Sequence, residues 1–154
     1  MMGIIQTIKD GTITFAKLAG DMVATAAQFC AGTAGKLLSA DKVWDAAAWK
    51  DLGNVSGTVD VDLNEALNFY MTLTGDTTIN VINPKAGKSF ALSIQQDATG
   101  SRTVEFTLGG VESTWYGIGP KPTITPDANS VTIITALVGR DAAAVYYSGG
   151  TQTS

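Results

Sequence analysis

Residues 77–106 read TTINVINPKAGKSFALSIQQDATGSRTVEF, and this stretch decides the fold class. It contains three alternating runs: Ile79 and Val81; then Phe90, Leu92 and Ile94; then Val104 and Phe106, each interleaved with polar or small residues. Side chains on a strand point to opposite faces with a period of two, so each run offers one apolar and one wettable face. Asn83-Pro84-Lys85-Ala86-Gly87 and Asp97-Ala98-Thr99-Gly100-Ser101 separate the runs. Both are turn chemistry, because Pro fixes φ, Gly accepts φ > 0, and Asn or Asp can bond its own backbone. The pattern predicts an antiparallel meander with one face in a core and one in water.

Outward from this centre the strands come quickly. Val59, Val61 and Leu63 alternate with Thr58, Asp60 and Asp62, and Leu67, Phe69, Met71 and Leu73 alternate with Asn68, Tyr70, Thr72 and Thr74. Downstream, Pro120-Lys121-Pro122 interrupts any ladder, residues 123–125 suggest a short strand, and residues 131–138 and 143–147 suggest a hairpin across Gly139-Arg140-Asp141. Short strands at this spacing predict a mainly β domain over residues 51–149, an antiparallel β-sandwich of jelly-roll type. Residues 150–154 read as a flexible tail. The glycines and Asn of Asp51-Leu52-Gly53-Asn54-Val55-Ser56-Gly57 mark the domain's start.

Residues 1–50 differ in character and read as an attachment arm. Ile4, Ile5, Ile8, Ile13, Phe15, Leu18 and Met22 give it more apolar side chains than so short a segment buries alone, which suits packing against other chains. A short helix is predicted near residues 41–49, with Ser39 or Asp41 as cap and strong helix formers following.

Composition sets limits on chemistry. A chain of 154 residues can bury about 70% of its unfolded surface, so a core forms without staples. The net charge of −4 and the scattered basic residues argue against a nucleic-acid partner. Cys30 is the one cysteine, so no internal disulfide forms, and it reads as a small buried residue. The start lacks a basic region followed by a long apolar run, and no stretch approaches the roughly 20 apolar residues of a membrane span, so cytoplasmic synthesis without membrane insertion is expected.

Histidine is absent, which removes the commonest general base and the usual Ser or Cys triads. Gly87-Lys88-Ser89 lacks the earlier phosphate-loop glycine, having Ile82 there, and it leads into a strand rather than a helix. Asp60, Asp62 and Glu65 are too few ligands for a hard cation, and the two aspartates share a strand's outward face. No catalytic residue, cofactor or metal is expected. Trp115, Tyr116, Tyr146 and Tyr147 are candidate surface-binding aromatics, or else core and subunit contacts.

Two stretches carry a resemblance. Asp10-Gly11-Thr12-Ile13-Thr14-Phe15-Ala16-Lys17-Leu18 resembles the Asp-Gly-x-Ile-Thr-x-Ala-Lys-Leu units of bacteriophage tail fibres and related virion fibres. The order Leu73-Thr74-Gly75-Asp76, Asn83-Pro84, Gly87, Ser89-Phe90 and Gln96-Asp97-Ala98-Thr99-Gly100-Ser101-Arg102 is similar to a β-module that ends many phage fibres. The resemblance implies a structural virion protein, a short homotrimeric fibre or spike on the capsid or tail. Its partners would be capsid, portal, neck or tail proteins and a host-surface glycan, with a glycan-binding host-recognition module as the alternative. The chain has almost no shaft, so a head fibre fits as well as a tail fibre. It also lacks the His-x-His repeats by which some fibre tips hold iron.

Overall fold

The computed structural model of the chain describes residues 23–112, 114–117 and 122–152. Two short helices precede the sheet. The first, α1 (Ala26–Ala31), starts with a reciprocal cap: Gln28 N donates to Thr25 Oγ1 at 3.1 Å and Thr25 N to Gln28 Oε1 at 3.0 Å. Its last carbonyls are met by cations, since Lys88 Nζ donates to Cys30 O at 2.5 Å and Lys85 Nζ donates to Ala31 O. Positive charge is favoured there because the orphan carbonyls leave the helix end negative. The second helix, α2 (Ala40–Ala47), matches the expected 41–49 segment, and Trp49 falls outside it. Leu67 N donates to Ala46 O at 3.1 Å and Asn68 Nδ2 to Ala47 O at 2.5 Å, tying the end of α2 to the sheet domain.

The sheet is built around one strand. β1 (Trp49–Asp62) and β2 (Asn68–Ile82) run parallel, with Trp49 beside Asn68 and Asp62 beside Ile82. On the other edge of β2, β3 (Ser89–Gln96) pairs in parallel with Asn68–Leu73, and β4 (Val104–Leu108) pairs in parallel with Thr77–Val81. Parallel neighbours normally need a crossover of about a dozen residues or more, yet only residues 63–67 link β1 to β2. An extended strand of 14 residues would span about 43 Å, while that link reaches at most about 21 Å. β1 must therefore bend back towards its own start. It does so through register shifts between Asp51 and Asn54 and between Val55 and Gly57, with Gly53 and Gly57 at φ of 70° and 68°.

The rest of the sheet is antiparallel at first. β5 (Val111–Glu112) returns along β4, β7 (Val131–Val138) lies on the free edge of β3, and β8 (Ala144–Gln152) returns along β7. β6 (Thr114–Tyr116) then pairs in parallel with β8. One apolar core fills the inside of this wound sheet. Phe69, Met71, Leu73, Ile79 and Val81 of β2 meet Leu92 and Ile94 of β3, Phe106 of β4 and Ile134 of β7, all essentially without solvent contact. Trp115 closes it, with its ring centroid 4.9 Å from that of Phe106 and 6.5 Å from that of Phe90.

The chain is mainly β, as expected, but the central stretch is not a meander. The turn residues at 83–87 and 97–101 are correctly placed, yet β2, β3 and β4 all run in the same direction, so the sheet is mixed rather than antiparallel. Alternation reports which face a residue takes and is silent on strand direction. Residues 51–57, expected as a boundary, lie within β1, because the glycines there make bulges instead of a linker. Residues 123–125 form no strand. The expected hairpin forms, with Val138 beside Val145, and β8 runs to Gln152, into the segment read as a tail.

Candidate functional site

The outward face of β2, β3, β7 and β8 carries three rows that cross the strands, fixed by register. The middle row is Asn68, Ala91, Thr135 and Ser148, all small or polar. One flanking row is Ser89, Leu137, Tyr146 and Tyr116. The other includes Tyr70, Ser93 and Ile133, with Asp51 of β1 beyond Tyr70. Beside the row of Ser89, Leu137 and Tyr146, the small side chains of the middle row leave a wide, open trough of about 580 Å³. The floor is the backbone of β3, β7 and β8, and Ala47 and Leu67 close the end nearest α2.

Six large apolar or aromatic side chains stand exposed on this side: Trp49, Tyr70, Ile133, Leu137, Tyr116 and Tyr146. Tyr116 and Tyr146 are each about half exposed, at 50% and 52%, and stack with centroids 5.3 Å apart and planes 24° from parallel. They are direct cross-strand neighbours, where aromatic pairs stabilise a sheet. The Tyr70 hydroxyl is hydrogen-bonded to the Asp51 carboxylate, which holds the phenol protonated above its usual range. Thr135 Oγ1 donates to Ser148 O at 3.1 Å within the middle row. The residues lining the trough include no Asp, Glu, Lys or Arg.

The expected aromatics therefore separate. Trp115 is a correction: it is only 2% exposed and belongs to the core, because it stands beside the inward Val145, one position out of phase with Tyr116. Tyr147 is partly buried and packs against Trp115 at 6.1 Å. Tyr116 and Tyr146 do reach the surface. Ile4, Ile5, Ile8, Ile13, Phe15, Leu18 and Met22 lie outside the described residues. Sequence reasoning missed Asn68, Ala91, Thr135 and Ser148, because only pairing register reveals that residues from four separate runs form one row.

The carboxylates considered for a cation are spent on the fold. Asp60 Oδ1 accepts from Asn80 Nδ2 at 2.7 Å, and Asn80 Oδ1 accepts from Thr107 Oγ1 at 3.0 Å, a polar ladder over β1, β2 and β4. Asp62 Oδ1 accepts from Asn64 N and Asn83 Nδ2, both at 2.8 Å, and Glu65 pairs with Lys50. Among the described residues no group of three or more His, Cys, Asp or Glu is placed to hold a metal ion. Burial pushes the Cys30 thiol up, which suppresses the reactive thiolate. Among the described residues no helix is long and apolar enough to cross a membrane.

The geometry is thus that of a β scaffold presenting a shallow depression lined by no charged residue. No curated protein matches the chain, and no solved structure matches it. One family model does, described as "Putative phage tail fibre C-terminal domain", over residues 57–140. That match runs from the second half of β1 to the end of β7 and covers more than half of the sequence. The chain belongs to this phage tail fibre family, whose members are structural components of the virion.

Proposed function

We propose that the chain is a short homotrimeric fibre or spike of the phage tail, whose N-terminal residues attach it to the particle while the β-domain faces outward. The family match over residues 57–140 carries this reading, and it favours the tail over display on the capsid. The apolar run from Ile4 to Met22 supplies the chemistry of attachment, since so many apolar side chains in so short a segment suit burial against a partner. Partners in this reading are two further copies and a tail or neck protein. The role is structural, with no chemical step.

Light scattering on the purified full chain tests the oligomer, with three times the monomer mass expected and a monomer at micromolar concentration overturning it. Particles assembled with a chain lacking residues 1–22 test attachment: the truncated protein should be missing from the virion, and normal incorporation would refute the role of the arm. A label on the β-domain, located by electron microscopy, decides between tail and capsid.

A second reading, contact with a host-surface glycan, is favoured by the half-exposed Tyr116 and Tyr146 pair beside the trough. It is compatible with the first, because a fibre tip has a face turned away from the particle.

A further inference from the structure

Helix α2 carries an apolar side that the sheet domain hardly uses. By helical spacing Ala40, Val43, Trp44 and Ala47 share one side, and Asp41, Lys42 and Asp45 share the other. The polar side is satisfied within the helix, since Lys42 Nζ reaches Asp45 at 2.6 Å and Asp41 at 3.3 Å. Within α2 only Ala46 is buried, while Trp44 is 76% exposed and Val43 is exposed next to it. Leu37 and Leu38, in the approach to α2, are each half exposed. Four large apolar side chains within eight consecutive residues make a patch of the kind a partner normally covers, unlike apolar residues scattered singly.

The backbone brings one segment to this patch. Val23 forms a parallel bridge with Leu37, and Ala24 N donates to Leu37 O at 2.8 Å. The 22 residues before Val23 are therefore joined to the domain at the edge of the patch. Of their apolar residues, Phe15, Leu18 and Met22 are nearest to this point and recur at spacings of three and four, the period with which a helix side meets a facing apolar surface. Reach is sufficient, because the eight residues from Phe15 to Val23 span up to about 26 Å when extended, and Trp44 stands within about 20 Å of Leu37 along the chain. A segment on so short a tether acts at an effective concentration in the millimolar range. With equal contact chemistry it outcompetes a second copy of the chain present at micromolar concentration.

We propose that residues 15–22 lie across α2 of their own chain, with Phe15, Leu18 and Met22 covering Leu37, Leu38, Val43 and Trp44. The first 22 residues then have two parts, a strap that completes the helical pair and a more distal stretch with Ile4, Ile5 and Ile8. Attachment to the particle is thereby narrowed to that distal stretch, and the strap itself depends on neither the trimer nor the place in the virion.

The test uses the full chain. In a Trp49→Phe background Trp44 is the one tryptophan besides Trp115, which is buried, so quenching by acrylamide reports on Trp44. Leu18→Glu combined with Met22→Glu should steepen the quenching several-fold at unchanged molar mass, and quenching of the parent should stay the same on dilution from micromolar to nanomolar. An independent measurement pairs Leu18→Cys with Val43→Cys in a Cys30→Ala background. Mild oxidation should close a disulfide within one chain, seen at monomer mass on a non-reducing denaturing gel. Quenching that is already steep in the parent, or unmoved by the double substitution, overturns the proposal. So do disulfides formed only between chains, or cover lost on dilution, since a second copy then occupies the patch. A trimer with Trp44 uncovered refutes the strap and leaves the fibre reading standing, whereas a monomer with Trp44 covered does the reverse.

Discussion

Gln96, fully buried at the end of β3, grips the backbone of Arg102 from both sides: its Oε1 accepts from Arg102 N and its Nε2 donates to Arg102 O, each at 3.0 Å. The same Nε2 also donates to Thr125 O at 3.0 Å, so one side chain ties the 97–103 connection to the segment before β7. Replacement by Leu keeps the approximate volume and leaves a buried N–H and two carbonyls without this partner. Gln96→Leu should therefore lower stability by about 3 kcal/mol, read as a drop in urea midpoint at unchanged slope.

The same connection has a steric limit at Gly100. Its φ is +71°, and a Cβ there would stand 2.6 Å from Pro126 O and 2.8 Å from Ala128 N. Gly100→Ala should cost more than about 2 kcal/mol, combining a left-handed backbone with a forced shift of the facing segment. Gly109→Ala is the control, since it shares a positive φ but meets nothing within 4 Å, and it should cost only about 1 kcal/mol. Paired thermal melts decide the difference.

Acid should loosen this region first. Hydrogen bonds from the Arg102 guanidinium hold the Asp97 carboxyl below its usual value, and Thr103 N does the same for Asp76. A depressed folded-state value means that stability is fully present above the unfolded carboxylate value of about 3.9 and is lost as pH falls through the folded one. Wild-type melting temperature should thus fall below about pH 4. Asp97→Asn should melt lower at neutral pH and show a shallower acid slope, with the two curves converging at the acid end; parallel curves would assign the acid loss to other groups.

Lys88 fastens α1 to the sheet domain. Its ammonium donates to Cys30 O at 2.5 Å and to Leu63 O at 2.6 Å, and burial lowers its pKa from the usual lysine value. Lys88→Met should cost about 2 kcal/mol through two carbonyls left without this donor. Cys30, only 3% exposed and unpaired, reports on the docking directly. Its labelling by a disulfide reagent should be slow in wild type and several-fold faster in Lys88→Met, as local opening of α1 becomes frequent.

Alternation was enough to find the strands whose apolar residues recur at every second position. Phe90, Leu92 and Ile94 lie inward on β3, and the β7 and β8 hairpin turns where Gly139-Arg140-Asp141 sits. The helix near Ser39 was legible from its helix formers, although Ser39 makes no side-chain hydrogen bond to the helix backbone. Strand direction was not legible, because Ile79 and Val81 present the same face whether β3 runs with β2 or against it. β6 spans three residues, too few to show that Trp115 is inward and Tyr116 outward. The helix α1 is too short for periodicity, yet its Thr25-x-x-Gln28 cap and the Gly32 that ends it were readable signals. The trough depends on the alignment of four distant runs and appears only once pairing is known.

β2 touches β1 along one edge and both β3 and β4 along the other, so nothing in the parallel part stands without residues 68–82. Within this parallel part each new layer finds its template already synthesised: β2 pairs onto β1 and then receives β3 and β4. That part can be deposited from its N-terminal side as the nascent chain leaves the ribosome, whereas β6 and the core-closing Trp115 must wait for β8, which is made last.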